Sequence, residues 1–295
     1  MRFVSQLING LQLGSIYALI ALGYSMVYGI IKLLNFAHAD VIMVGGYIAL
    51  FAISANYFGL PPVLVVILTI LGCVLLAVLM EKLAYRPLRS APRISVLITA
   101  IGVSILLQNL AQLFWSADPR TFPTTLLIPA GALIFGEFRL AYTSIITISV
   151  SLLSMIGLTI LVQKTKLGKA MRAVSEDTEA AQLMGINVNT IITFTFAVGA
   201  ALAGIGALLY VAGWPLIQPT LGIRLGLIAF VAAVVGGIGS IPGAMVGGFS
   251  IGLLEVLVTA LGLSGWVDGV VFLILIIVLM VRPTGIMGRS MMEKV

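Results

Sequence analysis

The chain has 295 residues, of which 61% are hydrophobic and only 9% are charged, and its mean hydropathy is +1.20. A soluble domain is near half apolar and a quarter charged, so this composition excludes an ordinary cytosolic enzyme, a disordered protein and a nucleic-acid binder. The formal charge of +6 is spread thinly along the chain, and a single cysteine (Cys73) and a single histidine (His38) exclude a disulfide framework and a histidine-based metal cluster.

Long apolar segments follow one another along the whole chain. A helix needs about 20 apolar residues to cross the hydrocarbon core of a bilayer. The candidate crossings are Leu7–Ile31, Ala37–Ser54, Leu60–Met80, Ile94–Trp115, Tyr142–Val162, Ile191–Val211, Leu225–Gly239, Gly243–Leu261 and Val267–Val281. They predict an all-α, polytopic transmembrane helical bundle of eight or nine membrane segments, since two segments could be broken or re-entrant. No connection is long enough for a soluble domain, so residues 1–295 are expected to form one transmembrane domain.

The distribution of lysine and arginine predicts the orientation, because cytoplasmic loops carry the excess of these residues. Three connections are basic and are expected to be cytoplasmic: Lys82, Arg86, Arg89 and Arg93; Lys164, Lys166, Lys169 and Arg172; and, in the tail, Arg282, Arg289 and Lys294. The loop Ser116–Leu140 balances Asp118 and Glu137 against Arg120 and Arg139 and is expected to be external. The C-terminus is therefore expected to be cytoplasmic, and the N-terminus external if every segment crosses.

Small residues recur at every fourth position on two predicted helices, as Gly10, Gly14 and Ala18 and as Gly199, Ala203 and Ala207. This spacing places them on one helix face and lets helix backbones approach closely in lipid. The pattern favours tight packing within the bundle, and the alternative is a face that slides or opens during transport.

The stretch Asn35–Asp40, followed by Gly45 and Gly46, combines polar groups with helix breakers inside an apolar region. Asp40 could cap the amino end of its helix, where a carboxylate meets the positive end of the dipole. The sharper alternative is an isolated acid that couples transport to protons.

Two predicted helices carry an uncharged polar residue at every fourth position. The first stripe is Ser104, Gln108 and Gln112, with Asn109 beside it, and the second is Thr143, Thr147 and Ser151. Polar groups in hydrocarbon need partners or water. The stripes indicate either hydrogen bonds between helices or a hydrated pathway, and their lack of charge argues against a permanently open ion channel.

The connection 164–190 is the one sizeable soluble segment. Within it, the stretch Ser175–Gly185 predicts a short surface helix with Ser175 as its N-cap and three acids in its first turn. Gly185 fits the left-handed position that follows a helix. Ala180, Leu183 and Met184 supply an apolar face, and so short a helix would gain stability by docking in a groove of another protein.

A second Gly-rich break, Gly236–Gly243, precedes Gly247 and Gly248. The run Met43–Tyr47 after the first break is echoed by Met245–Phe249 after the second. Corresponding broken helices in two halves point to the central site of a transporter. We therefore predict that both breaks lie close together at membrane depth and border the substrate pathway; the alternative is a pair of turns at the membrane edge.

Two acids, Glu255 and Asp268, fall within or beside the last apolar segments. Acids inside a membrane are costly and usually face the bundle interior. Glu255 is thus a functional candidate, whereas Asp268, near a helix start, is expected to lie at the interface.

The sequence resembles a known family at several motifs. The pattern Glu179-Ala180-Ala181 followed by Gly185 resembles the EAA loop of ABC-importer permeases, the helix that contacts the ATPase. The stretches Leu34–Asp40 and Gly236–Ala244 resemble those of LivH-type permeases of branched-chain amino-acid importers, and with the opening Asn9–Leu19 the resemblance covers essentially the whole chain.

The resemblance implies an ABC-importer permease fold with broken helices in the bacterial inner membrane. It implies a homologous second permease subunit, two cytoplasmic ATPase subunits, and an extracytoplasmic binding protein that delivers leucine, isoleucine or valine. The chain contains no Gly-x-x-x-x-Gly-Lys-Ser/Thr loop, so no cofactor is expected on it, and ATP and magnesium are expected on the partner ATPases.

The sequence therefore predicts a permease without catalytic or metal-binding residues. The coupling residues are expected to be Glu179, Ala180, Ala181 and Gly185, and the pathway residues Asn35, His38, Asp40, Gly237, Gly239 and Ser240. One alternative is a proton-coupled carrier that uses Asp40, His38 or Glu255. A second, a membrane-embedded enzyme, lacks clustered histidine or acidic ligands.

Overall fold

The computed structural model of the protein describes residues 2–32, 34–89, 91–135 and 138–288. Glu137, Arg289 and Lys294, which contribute to the predicted orientation, lie outside these residues. In the described chain the helices are α1 (Arg2–Ile31), α2 (His38–Ile53), α3 (Pro62–Met80), α4 (Arg93–Trp115), α5 (Thr124–Leu127), α6 (Tyr142–Lys164), α7 (Lys166–Glu176), α8 (Thr178–Leu183), α9 (Val188–Gly213), α10 (Leu221–Gly236), α11 (Ile241–Ala260) and α12 (Val267–Val281).

Nine of these helices correspond to the nine apolar segments of the sequence. Seven of them, within the described ranges, are long and apolar enough to cross a membrane, where α12 is counted together with the 3-10 turn Ser264–Trp266 that precedes it. Helices α2 and α10, at 16 residues each, are shorter than these spans. Helix α3 continues through a π-helical turn, Glu81–Tyr85, and a 3-10 turn, Arg86–Leu88. The predicted all-α polytopic bundle is confirmed, and its two short helices each begin or end at a predicted break.

Helix α1 forms the centre of the bundle, since 78% of its most apolar 18-residue stretch is buried inside the protein, and the value for α9 is 67%. The corresponding stretches of α4, α6 and α12 are only 17%, 22% and 11% buried. These peripheral helices present exposed leucine and isoleucine side chains. Such surfaces are unfavourable in water and suit the hydrocarbon core of a bilayer.

Small residues bring α1 and α11 into backbone contact. A β-carbon added to Gly252 would lie 2.2 Å from the Cα of Gly14, and Gly10 and Ala18 face the same helix. Helices of larger residues could not approach so closely, and dispersion contacts at such seams replace the water-driven association of soluble proteins. The predicted packing role of this face is confirmed.

Helices α10 and α11 pack as an antiparallel pair, and the turn that connects them is held by the chain that follows α12. A β-carbon on Gly236 would lie 1.9 Å from the carbonyl oxygen of Gly243. The backbone amides of Ile286 and Met287 donate to the carbonyls of Val235 and Gly236, at 2.9 Å in both cases. This C-terminal strap, Gly285–Gly288, thus pairs two of the carbonyls that the end of a helix normally leaves unpaired.

Two small antiparallel sheets lie at the end of the bundle where α4 and α9 finish and α6 begins. Strand β1 (Arg120–Thr121) pairs with β4 (Leu216–Ile217), and β2 (Ala132–Phe135) pairs with β3 (Phe138–Ala141). We call this the hairpin end. Helices α7 and α8 follow the other end of α6, and we call that the α8 end. The loop predicted to be external therefore contains short strands and the small helix α5.

Candidate functional site

The connection at the α8 end folds as two helices, and the predicted start of the surface helix is wrong. Ser175 lies inside α7, where its hydroxyl donates to the Arg172 carbonyl at 2.7 Å. The true N-cap of α8 is Asp177, whose carboxylate accepts from the amides of Glu179 and Ala180, both at 3.0 Å. Asp177 is in extended conformation, as an N-cap residue should be.

The predicted end of α8 is confirmed. Gly185 has φ +80°, in the left-handed region that favours glycine. Its amide donates to the Gln182 carbonyl at 2.9 Å, and the Ile186 amide donates to the Ala181 carbonyl at 3.0 Å. No described atom lies within 4 Å of a β-carbon at this position, so the backbone conformation alone requires glycine here.

Helix α8 turns one small residue inward and two large apolar residues outward. Ala181 is 4% exposed, whereas Leu183 is 90% exposed and Met184 is 82% exposed. Glu179 and Ala180 are also exposed. The four predicted coupling residues thus divide into one that anchors the helix and three on its outer surface or at its end.

Helix α7 connects α8 to the core of the bundle. Arg172 donates to the Val162 carbonyl of α6 at 2.9 Å, and Met171 is buried. A small cavity of about 90 Å³ lies between α7, the last turns of α1 and the turn before α11, and Gly29 and Gly239 are among its lining residues. A displacement of α7 would therefore act on α1 and on the second break together.

The first break places Asn35 against the π-helical turn that follows α3, and His38 against α1. The hydroxyl of Tyr85 donates to Asn35 Oδ1 at 2.6 Å. The His38 ring lies edge-on to Tyr24 with centroids 5.2 Å apart and closes over Gly23, where a β-carbon would lie 2.0 Å from Nε2. His38 Nε2 is buried with no hydrogen-bond partner in the described part of the chain.

Asp40 lies in the first turn of α2 and is 1% exposed. It does not cap the helix with its side chain; instead its Oδ1 accepts from Gln108 Nε2 of α4 at 3.0 Å. Gln108 also donates to Ser104 Oγ at 3.1 Å. The polar stripe of α4 thus makes a hydrogen bond between helices, as one of the two interpretations predicts.

The second stripe, on α6, begins at the hairpin end. Ser144 donates to Gln12 Oε1 of α1 at 2.6 Å. Thr147 and Ser151 are fully buried, and their hydroxyl oxygens have no hydrogen-bond partner among the described residues. Two hydroxyls of the stripe are therefore unpaired within the described chain, and the hydrogen bond between α6 and α1 comes from Ser144, which lies beside the stripe.

Local geometry accounts for the three residues singled out in the second break. Gly237 and Gly239 have φ +112° and +88°, and a β-carbon on Gly237 would lie 2.4 Å from the Gly288 amide. Ser240 is the N-cap of α11 and accepts from the Gly243 amide at 3.2 Å. A role of these residues in a pathway stays a prediction, because the turn needs them for its own conformation.

Both breaks adjoin the last part of α1. His38 packs on Gly23 and Tyr24, and Gly239 packs on Tyr28 and Gly29. Gly23 and Gly29 are six residues apart, which is roughly 9 Å along the helix axis at 1.5 Å per residue. The structure thus assembles both breaks around one segment of α1.

A charged cluster near the hairpin end links four helices, and the sequence pattern identified only its acids. Tyr17 Oη donates to Glu255 Oε2 at 2.7 Å, and Arg224 donates to Glu255 Oε1 at 3.0 Å and to Asp268 Oδ1 at 3.4 Å. Glu255 is buried, whereas Arg224 and Asp268 are more than half exposed. Because Arg224 directly precedes the predicted span Leu225–Gly239, nothing in the sequence distinguished it from an ordinary loop cation.

A second ion pair lies where α3 ends, and the sequence interpretation missed it as well. Glu81 is completely buried, pairs with Arg89 and accepts from the hydroxyl of Thr193 on α9 at 2.7 Å. Burial lowers the pKa of Arg89, and the charge and hydrogen bond of Glu81 oppose that shift. The pair fixes the end of α3 to the start of α9.

The described residues contain no group of three or more histidine, cysteine, aspartate or glutamate side chains that could hold a metal ion.

Comparisons with known proteins agree along the whole chain. The family described as "Branched-chain amino acid transport system / permease component" matches residues 6–280. The high-affinity branched-chain amino acid transport system permease protein BraD of Pseudomonas aeruginosa is 44% identical, over 100% of this chain and 98% of that protein. LivH of Salmonella typhimurium, which carries the same description, is 42% identical over 99% and 98%.

Among solved structures, PsaBC from Streptococcus pneumoniae in complex with Fab matches with 17% identity and a TM-score of 0.49, over 94% of this chain and 91% of that chain. The permease relatives and the seven long apolar helices together show a multi-pass membrane protein.

Proposed function

This chain belongs to the family of branched-chain amino acid transport permease components, and from that premise we propose that it is the transmembrane subunit of an ATP-driven importer of leucine, isoleucine and valine. The substrates rest on the names of relatives that are more than 40% identical over nearly their full length. The location that fits is a bacterial inner membrane, with the α8 end in the cytoplasm, because the basic connections lie at that end.

The proposal of ATP coupling rests on the exposed apolar side chains at the C-terminal end of α8. Leu183 and Met184 are 90% and 82% exposed, and they belong to the loop that is predicted to be cytoplasmic, where lipid tails cannot cover them. Ala181 holds the helix against the protein. An apolar tip on a fixed helix fits a groove on a partner protein, and the proposed partner is a cytoplasmic ATPase subunit.

Movement of the ATPase would reach the membrane through α7. This helix contacts α6 through Arg172 and lines a cavity together with Gly29 of α1 and Gly239 of the second break. We propose that α7 and α8 tilt as a unit and shift the end of α1 against the turn between α10 and α11. Alternating access would then result from these small displacements at packed contacts.

The proposed pathway includes the two breaks, with Asn35, His38 and Asp40 from the first and Gly237, Gly239 and Ser240 from the second. Support comes from their polar groups and irregular backbone next to one segment of α1. Irregular backbone at membrane depth is tolerated where it is buried in protein or lines water.

The proposal includes partners that perform the steps this chain lacks. A homologous second permease would complete the membrane unit, two ATPases would bind ATP and magnesium, and an extracytoplasmic protein would deliver the amino acid. The proposal assigns no cofactor and no covalent chemistry to this chain.

The test is ATP-driven leucine uptake by the complete assembly in proteoliposomes, comparing the double variant Leu183→Ala, Met184→Ala with the single variant Leu113→Ala. Leu113 is a suitable control because it is 76% exposed on α4, away from the α8 end. We expect the double variant to lose uptake and co-purification of the ATPase, and the control to retain both. Normal uptake by the double variant at equal protein level contradicts the coupling role.

A second measurement separates this function from a proton-coupled carrier. The purified chain alone, in liposomes with a proton gradient, should not accumulate leucine. Accumulation against a gradient under those conditions would favour the carrier and remove the need for an ATPase.

A further inference from the structure

A cavity of about 520 Å³ opens at the hairpin end, between α1, α6, α9 and α11. Exposed residues such as Asn9 and Thr259 line it, and so do buried residues such as Gln12, Ser144 and Glu255. It lies at the opposite end of α6 from α7 and α8. In the orientation proposed above, it faces the side from which a binding protein would deliver substrate.

Among the described residues that line this cavity, the charged one is an acid, Glu255. Glu255 pairs with Arg224, which also contacts Asp268, so the cluster carries a formal net charge of −1 although Arg224 and Asp268 lie outside the cavity wall. Tyr17 donates to the second oxygen of Glu255 and holds the carboxylate in place. Because a buried acid inside a membrane is costly, it usually faces a polar interior or a pathway, and here it faces a cavity of ligand size.

The other polar groups of the cavity complement a carboxylate. The amides of Gln6 and Asn9 and the hydroxyl of Thr143 line the same space, and each can donate a hydrogen bond. The hydrogen-bond donors of this cavity therefore suit the carboxylate of an amino acid, and its acid, Glu255, suits the ammonium group.

An apolar cavity of about 380 Å³ adjoins the polar one and shares Gln6, Val256 and Ala260 with it. Its remaining lining residues are aliphatic: Leu7, Leu253, Leu257 and Leu261. The branched aliphatic side chain of an amino acid would be removed from water there, while the ammonium and carboxylate groups of the same molecule stayed in the polar cavity.

We propose that the polar cavity is an outward binding site for the transported amino acid, with the carboxylate of Glu255 as the partner of the ligand's ammonium group. This proposal rests on the proposed function, amino-acid import, and adds a location for the bound substrate. Arg224 and Tyr17 are positioning residues, because they contact Glu255 and are not part of the cavity wall.

The test uses the complete assembly with Cys73→Ala and a reporter cysteine, Thr259→Cys, in the cavity wall. A water-soluble maleimide labels the cysteine, and leucine is titrated as the ligand. A bound ligand should slow labelling by the factor 1 + [L]/Kd, or about fivefold when leucine is at four times its Kd. The matched control is Ser264→Cys, which is exposed at the same end but outside the cavity, and its labelling should not respond to leucine.

The role of Glu255 is tested by its charge. Glu255→Gln should raise the leucine concentration needed for protection about tenfold, the factor that corresponds to loss of roughly 1.4 kcal/mol. 4-Methylpentanoate, which is leucine without its ammonium group, should not protect the unsubstituted site. Equal protection by this acid, or unchanged protection in Glu255→Gln, overturns the proposal.

A variant at the cavity mouth keeps the proposal testable if Glu255→Gln does not assemble. Ala260→Trp should fill the mouth and lower leucine uptake about tenfold, whereas Leu263→Trp, beyond the lining residues, should transport normally. Normal uptake by Ala260→Trp overturns the site.

Different results would contradict the binding site in this cavity and the proposed import function. Leucine uptake without leucine protection of Thr259→Cys contradicts only this cavity. Absence of leucine uptake by the unsubstituted assembly contradicts the proposed function itself.

Discussion

A β-carbon on Gly248 of α11 would lie 2.3 Å from the Cα atom of Ala18 on α1. Neither backbone can yield without separating the two helices. Because α1 is the most buried of the long apolar helices described above, this contact should control the stability of the whole bundle.

We expect Gly248→Ala to lower the stability of the purified protein by about 1–3 kcal/mol, the usual cost of overpacking. The matched control is Gly157→Ala on α6, where no described atom lies within 4 Å of the added carbon. That control should be neutral or slightly stabilising, since alanine favours a helix by up to about 1 kcal/mol. Thermal unfolding in detergent measures both, and equal midpoints would contradict tight packing at Gly248.

The N-cap of α8 gives a second prediction. Asp177→Ala should remove the acceptor for the amides of Glu179 and Ala180 and cost about 1 kcal/mol locally. Hydrogen exchange of these two amides should then accelerate about fivefold. Ser175→Ala is the control, because Ser175 bonds only within α7, and it should leave their exchange unchanged. Faster exchange in Ser175→Ala instead would show that α8 starts at Ser175.

The left-handed residue after α8 gives a third prediction. Gly185→Val should strain the backbone by about 1–2 kcal/mol, loosen the end of α8 and reduce ATP-driven uptake. Gly185→Asn should retain more uptake, because asparagine tolerates this conformation better.

The control for Gly185 is Gly59→Val, in the turn between α2 and α3 at the opposite end of the bundle. Gly59 has φ +57°, and an added β-carbon there would lie in ordinary contact, 3.5 Å from the Cα atom of Ala55. The same strain there should leave uptake unchanged. If both valine variants reduced uptake alike, the effect would come from general destabilisation and not from coupling.

Two of the ion pairs described above, Glu81–Arg89 and Arg224–Asp268, should differ strongly in their contribution to stability. Glu81→Ala leaves Arg89 and the Thr193 hydroxyl without their buried acceptor and should cost roughly 3 kcal/mol, at the low end for a broken buried pair because Arg89 is 19% exposed. Asp268→Asn breaks an exposed contact and should cost at most about 1 kcal/mol. Denaturant unfolding in mixed micelles compares them, and a larger effect at Asp268 would reverse this order.

The membrane helices could be predicted from hydropathy, because lipid demands long apolar segments with satisfied backbone groups. The predicted span Val267–Val281 matches α12 at both ends. Single ends also match at Ile31, Met80, Trp115 and Tyr142. The remaining boundaries shift by a few residues, as at α10, which begins at Leu221 and not at Leu225. Helix ends depend on caps and local turns, which a hydropathy pattern does not contain.

The error at Ser175 has a specific cause. Serine and aspartate are both good N-cap residues, and the sequence offers Ser175 and Asp177 two positions apart. The structure continues α7 through Ser175 because the buried side chains of Met171 and Val174 fix that helix against the bundle. Tertiary packing decides between two equally good local signals.

The cluster around Glu255 could be predicted only in part. The acid itself stands out in an apolar segment, but its partners Tyr17 and Arg224 are 238 and 31 residues away along the chain. Their meeting depends on how α1, α10 and α11 cross, which periodicity within one helix does not specify. The same reason explains why the pairing of Glu81 with Thr193 was not predicted.

The C-terminal strap has a practical consequence for fusion proteins. A fluorescent reporter or an affinity tag attached directly after Val281 would displace Ile286 and Met287 and leave the Val235 and Gly236 carbonyls without partners. The same reporter attached beyond Gly288 would leave both hydrogen bonds in place. The choice of junction would therefore decide whether a tagged protein reports the native transporter or one with a loosened turn between α10 and α11.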